Sequence, residues 1–183
     1  MTVQSDERLF DAVRTIKGKA LTQSDVDAIN AALAPVGNAS AAKNGRAIAL
    51  IKRFEGCRLS AYVDPGTGGE PITIGWGATG GFKLGTMWTQ AQADERLASD
   101  VAKFADGVDG LIGKATPGQR AAMISFAYNV GLGALRSSTL LRKHLAGDYG
   151  GAKAEFARWN RAGGRAMQGL TNRRMAEAAE YSA

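Results

Sequence analysis

Cysteine and histidine are nearly absent from this chain of 183 residues, and their scarcity excludes several classes of protein. The single cysteine, Cys57, rules out an internal disulfide. Together with the single histidine, His144, it is too little for a structural zinc site. We therefore expect no structural metal, and we expect Cys57 to be a small buried hydrophobic residue.

Long apolar runs are also missing. No stretch approaches the roughly 18–20 consecutive apolar residues that cross a membrane. The N-terminus, residues 1–8, has no basic segment followed by an apolar run, so it does not resemble a signal peptide. We expect a protein that is made in the cytoplasm, does not insert stably into a membrane and is not exported through a standard signal peptide.

Glycine and positive charge are what the chain has in excess. Its 24 glycines cluster at 66–69, 75–81 and 163–164, which is typical of tight turns. The net charge of +6 and the pI of about 9.7 favour anionic partners, whether nucleic acid, a membrane surface or an acidic polysaccharide. The charge alone does not choose among them.

The chain divides into an N-terminal appendage at 1–36, a linker at 37–44 and a main domain at 45–183. Residues 5–34 have the caps and apolar spacing of a helical hairpin, which we interpret as a spacer or packing element. An anchoring or DNA-binding module is the alternative. The second helix, Asp25 to Leu33, has no Lys or Arg to meet phosphates, which disfavours DNA binding.

Glu55 closes the first helix of the main domain. The apolar spacing predicts a helix over Arg46–Phe54, and Glu55 continues the face formed by Ile48 and Ile51 before Gly56 stops the helix. A carboxyl group against apolar side chains resists ionisation, which suits a general acid. A solvated glutamate at a helix end is the alternative reading.

A β-hairpin follows, with strands at Leu59–Val63 and Ile72–Trp76. Its turn opens with Asp64, and Thr73 lies in the second strand. A helix that leads directly into a hairpin can hold two carboxyl groups across a shared cleft. Such a pair is typical of enzymes that cleave glycosidic bonds.

The rest of the domain is predicted to be helical. The helix at about 117–130 is apolar almost all round, so we expect it to be the central buried helix, with Asn129 as a polar exception that needs a partner or a ligand. Further helices are predicted from Gln90 to about Phe104, from Ser138 to Ala146, from Ala152 to Trp159 and from Thr171 onward. In the last helix we expect Arg174 on a solvated face.

Several separated motifs, in order, resemble the phage-type lysozymes. They are Phe54-Glu55-Gly56, Ala61-Tyr62-Val63-Asp64, Thr73-Ile74-Gly75-Trp76-Gly77, Phe126-Ala127-Tyr128-Asn129-Val130-Gly131, Ser138-Thr139-Leu140-Leu141, Arg158-Trp159-Asn160 and Gly169-Leu170-Thr171-Asn172-Arg173-Arg174. They lie within residues 44–181. The resemblance implies a mostly helical α+β fold of the lysozyme type, in which a small β-sheet subdomain packs on a larger helical one with the active-site cleft between them.

The resemblance also implies an activity and a set of catalytic residues. The family cleaves the β-1,4 bond between N-acetylmuramic acid and N-acetylglucosamine in peptidoglycan, without a cofactor or metal. By matching positions, Glu55 is the general acid, Asp64 the second carboxylate and Thr73 a residue that holds the attacking water. An inverting site of this kind needs its two carboxyl groups about 6.5–9.5 Å apart.

Substrate binding is implied at Asn129 and in the turn that contains Gly131 and Ser138, with Trp159 or Arg165 on the opposite wall. Core packing is the alternative role for Trp159. Either Arg173 or Arg165 is expected to hydrogen-bond Glu55.

Two features depart from the family pattern. Eight residues separate Asp64 from Thr73, a longer connection than the family commonly has, and Glu70 in this turn becomes an alternative second carboxylate. Extra loop length costs little, so the hairpin itself is expected to persist. Ala78 lies near where the family often has a histidine, so any support that histidine gives must come from elsewhere.

We expect a monomeric phage or prophage endolysin that acts on peptidoglycan strands and not on nucleic acid. It would be made in the host cytoplasm and reach the wall in the periplasm through a holin-type, membrane-permeabilising partner. A lytic transglycosylase acting on the same bond is one alternative. A non-catalytic, basic wall-binding protein is the other.

Overall fold

The computed structural model describes residues 42–63 and 71–183. The predicted appendage at 1–36, with its hairpin at 5–34, lies outside the described residues, as do Asp64 and Glu70. Residues 42–44, predicted as part of the linker, belong to the first described helix, which runs over 42–52.

Helices make up most of the described structure. They are α1 (42–52), α2 (Gln90–Ile112), α3 (Pro117–Val130), α4 (Leu132–Ser137), α5 (Thr139–Leu145), α6 (Tyr149–Glu155), a 3₁₀ turn (Phe156–Trp159) and α7 (Gln168–Tyr181). The strands are β1 (Arg58–Val63), β2 (Ile72–Gly75), β3 (Ala78–Thr79), β4 (Arg161–Ala162) and β5 (Arg165–Ala166). In the described ranges no helix is both long enough and apolar enough to span a membrane.

The predicted hairpin is part of a three-stranded antiparallel sheet, in the order β1-β2-β3. Strand β3 has only two residues and was not predicted from the sequence. Ile72 and Ile74 of β2 pack with Ala61 in a small apolar cluster. Because successive side chains of a strand point to opposite faces, Thr73 faces away from that cluster.

Four helices begin or end more than one residue away from their predicted bounds. The first, predicted over Arg46–Phe54, runs over 42–52, and the helix predicted from Ala152 begins at Tyr149 and ends in the 3₁₀ turn Phe156–Trp159. The second helix continues past Phe104 to Ile112, because Val108 and Ile112 extend its buried stripe at helical spacing. Gly107 lies inside it, where a Cβ atom would be 2.5 Å from Leu132 Cδ1, so the glycine permits close approach of α4. The last helix begins at Gln168 and not at Thr171.

The central helix is α3, as predicted. Its side chains from Ala121 to Ala127 are all buried, and it packs against α2, α4 and α7. Phe126 at its centre makes edge-to-face contacts with Phe156 and Trp159, at ring-centroid distances of 5.5 and 5.1 Å. These aromatic contacts connect α3 to the 3₁₀ turn and so to the C-terminal part of the core.

His144 is buried at the far end of this core. Its Nε2 atom lies 3.1 Å from the carbonyl oxygen of Ile112, and its Nδ1 atom lies 2.6 Å from the Tyr181 hydroxyl. Since a carbonyl can only accept, Nε2 carries the proton and Nδ1 accepts from Tyr181. Burial lowers the pKa of His144, although the hydrogen bonds to backbone carbonyls act in the opposite direction.

We predict that the stability of the fold depends on pH through His144. A lowered pKa in the folded state means that the unfolded chain binds the extra proton more readily. The contribution to stability is therefore complete above the ordinary histidine pKa of about 6.5, and it is lost as the pH falls through the lowered folded value. Thermal unfolding between about pH 5 and pH 8 measures this dependence.

The comparison needs two variants. His144→Leu removes the imidazole, and because this is the only histidine, the variant should show a flatter dependence on pH in that range. Tyr181→Phe removes a hydrogen bond but keeps the imidazole, so it should lower stability and retain the slope. Parallel curves for the native chain and His144→Leu would contradict the prediction.

Candidate active site

Glu55 follows α1 in a turn closed by a hydrogen bond from its own N–H to the Ile51 carbonyl, at 3.0 Å. Ile51 is fully buried, which agrees with the predicted apolar face of this helix. The Glu55 side chain is 26% exposed, so its carboxyl group is accessible without being surrounded by solvent. This partial exposure is compatible with contact to a substrate.

The partner of Glu55 is Arg173 of α7. Its Nη1 atom donates to Glu55 Oε1 at 2.6 Å, and its guanidinium lies 5.8 Å from the Phe54 ring. Of the two arginines predicted for this contact, the structure therefore selects Arg173. Arg165 lies in the exposed hairpin β4–β5.

Arg174 is buried, contrary to the expectation of a solvated face. It is only 1% exposed, because α7 packs directly on α3 and the guanidinium lies over the Phe126 ring at 5.0 Å. Its Nε atom lies 3.0 Å from Glu177 Oε2. Burying an arginine costs solvation free energy, and the acidic Glu177, one turn along the same helix, offsets part of that cost.

Glu177 is a buried acid whose burial was not predicted from the sequence. It is fully buried, and its Oε1 atom accepts hydrogen bonds from the Ser125 hydroxyl at 2.8 Å and from Arg173 Nε at 3.2 Å. Burial raises the pKa of Glu177, while the charges of Arg174 and Arg173 and the Ser125 hydroxyl act against that rise. The spacing of Arg173, Arg174 and Glu177 along a helix could have indicated ion pairs, although not their burial.

Asn129 has the partner that its place on an apolar helix required. Its Oδ1 atom accepts a hydrogen bond from Arg174 Nη2 at 2.8 Å. The amide nitrogen is then the remaining polar group of this exposed side chain, and it can donate to an acceptor outside the helix.

Thr73 is 5% exposed in the centre of the sheet, opposite Tyr62 of β1 and Thr79 of β3. Its hydroxyl lies 3.4 Å from the Pro71 carbonyl, which is a long hydrogen bond. This local bond is therefore weak.

Trp76 connects the sheet to the helices close to Ala78, the position that was compared with a family histidine from the sequence. Its Nε1 atom donates to Asp94 of α2 at 2.7 Å, and Lys52 lies both 2.8 Å from that carboxylate and 5.1 Å from the indole ring. A hydrogen bond from Lys52 lowers the pKa of Asp94 more than burial raises it, and bonds from Trp76 and Gln90 add to the lowering.

Tyr128 of α3 adds a second connection to Trp76. Its hydroxyl lies 3.4 Å from the Trp76 carbonyl. Burial, together with the negative charges of Glu55 and Asp100, raises the pKa of Tyr128 to about 12. The phenol therefore remains a hydrogen-bond donor throughout the physiological range.

The other predicted substrate-binding residues have roles inside the fold. Gly131 ends α3 with a φ of +91°, a conformation that favours glycine. Ser138 caps α5 by accepting from Leu141 N–H, and its hydroxyl also donates to the Leu135 carbonyl. Trp159 packs on the core through Phe126, as the alternative reading had it. Cys57 was expected to be buried, and this expectation is wrong: it is only partly buried at the start of the sheet, where its Sγ atom lies 3.9 Å from the Gln90 side-chain amide.

A cavity of about 550 Å³ lies between α1 and α7, lined by residues that include Leu50, Met175 and Ala179. None of the predicted site residues lines it, so it is separate from the candidate site. Within 42–63 and 71–183, no three His, Cys, Asp or Glu side chains are grouped to hold a metal ion.

Comparison with known proteins identifies relatives over most of the chain. The model of the phage lysozyme family matches residues 52–177. An endolysin of Bacillus phage PZA is 46% identical over 137 residues, which cover 74% of this chain and 53% of that protein. A SAR-endolysin of bacteriophage PS119 is 37% identical over 126 residues, or 68% of this chain and 74% of the relative.

The fold has solved counterparts as well. An endolysin from Escherichia coli O157:H7 phage FAHEc1 superposes with a TM-score of 0.68 at 34% identity, covering 74% of this chain and 90% of the other. The predicted lysozyme-like α+β class is thus confirmed. The chain spans only about half the length of the PZA endolysin. From the family match over residues 52–177, the chain belongs to the phage lysozyme family.

Proposed function

We propose that this chain hydrolyses the β-1,4 bond between N-acetylmuramic acid and N-acetylglucosamine in peptidoglycan. The observation that carries the proposal is the contact between Glu55 and Arg173, within the residues that match the phage lysozyme family. It fixes one oxygen of a partly exposed carboxyl group. A fixed and accessible carboxyl group is the first requirement of a glycosidase.

The two oxygens of Glu55 can have different tasks. Oε1 accepts from Arg173, whereas no residue of the described ranges hydrogen-bonds Oε2. In the protonated state Oε2 can carry the proton outward while Oε1 keeps its bond to the arginine. Glu55 then gives this proton to the glycosidic oxygen as the bond between that oxygen and the sugar C1 breaks.

The second half of the reaction needs a water molecule and a base. Water attacks C1 from the opposite face of the ring, and its proton passes to Asp64, so the new reducing end has inverted configuration. Thr73 is proposed to orient this water with its weakly held hydroxyl. Glu70 remains the alternative base, because it lies in the same turn as Asp64.

Sugar binding is proposed for Asn129 through its amide N–H groups. Gly131 and Ser138 would contribute through the shape of the turn, since the Ser138 hydroxyl is already used within the fold. Arg165 and the exposed edge of Trp159 remain candidates for the opposite wall. Arg173 is proposed to act through its hydrogen bond to Glu55.

We also propose that the chain acts as a monomer.

We predict different outcomes for the three carboxylates. Glu55→Gln and Asp64→Asn should each lower peptidoglycan hydrolysis by about a hundredfold or more, since each removes an acid or base from the reaction. Glu70→Gln should retain activity and is the matched control. Clearing of a suspension of exposed cell walls, followed by turbidity, measures the effect.

Two results would contradict this assignment. Equal clearing by all four proteins would indicate a basic protein that disrupts walls through its charge. Loss of activity in Glu70→Gln with retention in Asp64→Asn would transfer the role of base to Glu70.

The products distinguish hydrolysis from the transglycosylase alternative. A lytic transglycosylase uses one acid and no positioned water, and it leaves 1,6-anhydro ends on muramic acid. We predict reducing ends, because Asp64 and Thr73 are both present to hold and activate water. Mass analysis of the released muropeptides measures this, and anhydro ends would exclude the hydrolase.

We also propose that the chain acts in the periplasm after synthesis in the host cytoplasm, with release by a holin-type partner. The endolysin names of the relatives support a role in host lysis. The SAR-endolysin among them makes a route without a holin the alternative to be tested.

The delivery route predicts a dependence on membrane permeability. The chain expressed alone in a bacterial host should leave the culture intact until the inner membrane is permeabilised, and the optical density should then fall. Glu55→Gln under the same treatment is the control for general damage. Lysis without permeabilisation would contradict the holin-dependent route.

A further inference from the structure

Behind Glu55 lies a cluster of buried charges, of which the proposed reaction involves only Arg173. It consists of Arg173, Arg174 and Glu177, which are 4%, 1% and 0% exposed. Each of the two arginines contacts Glu177, and each also reaches a residue of the candidate site. We name these three residues the buried charge cluster.

The first arm of the cluster leads to the general acid. Arg173 donates from Nη1 to Glu55, from Nε to Glu177 Oε1 and from Nη2 to the Ser125 carbonyl at 3.3 Å. All three nitrogen atoms of the planar guanidinium donate hydrogen bonds, so the group cannot rotate without breaking one of them. The position of Glu55 Oε1 is therefore set by Arg173, whose own position is set by Glu177 and α3.

The second arm leads to the proposed sugar-binding amide. Arg174 Nη2 donates to Asn129 Oδ1 at 2.8 Å and to Glu177 Oε1 at 3.3 Å. Because Oδ1 accepts this bond, Arg174 restrains the orientation of the exposed Asn129 amide. One carboxylate thus lies between the two arms.

A contribution to the stability of the fold does not by itself explain the buried charge cluster. Arg174 Nη1 is buried and has no hydrogen-bond partner among residues 42–63 and 71–183, and the 3.0 Å contact of Arg174 Nε with Glu177 Oε2 is not aligned as a hydrogen bond. Apolar residues of similar volume often replace buried ion pairs without loss of stability. A buried charge whose bonds are incomplete calls for a reason other than packing.

We infer that Glu177 is a positioning residue for the glycosidase reaction, and that it holds the acid Glu55 through Arg173 and the amide of Asn129 through Arg174. The inference rests on the proposed function, because it takes Glu55 as the acid and Asn129 as a sugar contact. Glu177 touches neither the substrate nor the reacting atoms.

The two arms predict a separation of kinetic constants. Glu177→Gln removes the charge that both arginines contact, so Glu55 should be displaced. The kcat of this variant should fall about 10- to 100-fold, because a displacement of roughly 1 Å at a reacting group has an effect of that order. Its KM should also rise. Arg174→Met leaves Arg173 and Glu177 in contact, so its KM should rise about fivefold, the equivalent of one lost hydrogen bond, with little change in kcat.

The assay uses the full chain on soluble peptidoglycan fragments of defined length, at a temperature where each variant is folded by circular dichroism. Asp109→Asn is the matched control. Asp109 is also a carboxylate bound by two cations, Arg120 and Lys43, but it lies outside the candidate site. Its variant should keep both kcat and KM.

If Glu177→Gln does not fold, the double variant Glu177→Met with Arg174→Met tests the same point, because it removes the buried pair together. Its kcat should still be reduced.

Native kcat and KM in a folded Glu177 variant would overturn the inference while leaving the proposed function intact, provided that Glu55→Gln is inactive in the same assay. An inactive native chain, or an active Glu55→Gln, would instead overturn the proposed function and the inference with it.

Discussion

The contact between Glu55 and Arg173 joins the turn after α1 to α7, and the two residues are 118 positions apart in the chain. The candidate site exists only because these helices meet beside α3. Phe126 and Ser125 of α3 supply the surface on which the arginines of α7 lie. The position of the acid is thus a property of the helical core as a whole, and it is not a property of the turn that contains the acid.

Local sequence patterns predicted the parts of the site that depend on neighbouring residues. Apolar spacing at Ile48 and Ile51, followed by Gly56, placed Glu55 at the end of a helix. The apolar character of 121–127 correctly indicated a central buried helix, and it made Asn129 an exception that needed a partner. These features follow from helical periodicity, which acts over a few residues and can be read directly from a sequence.

Contacts between distant segments could not be predicted in the same way. Arg174 looks like a surface residue, because its buried position depends on how α7 packs on α3. Glu177 lies among alanines, so no apolar pattern marks it as internal. The hydrogen bond from Trp76 to Asp94 likewise joins the end of a strand to a distant helix. The resemblance to a family implied catalytic roles for Glu55, Asp64 and Thr73. It also gave Arg173 as one of two possible partners of Glu55, but it did not indicate that Arg173 and Arg174 are buried.

The distance along the chain between Glu55 and Arg173 also determines when the site can assemble during synthesis. Ribosomes build a protein from its N-terminus, so α1 and the sheet emerge before α7. Until α7 docks, Glu55 lacks the cation that fixes it, and Asn129 lacks the guanidinium that orients its amide. The site is therefore complete only after α7 has been synthesised and has packed on α3, and a chain interrupted before residue 168 would contain the acid without its partner.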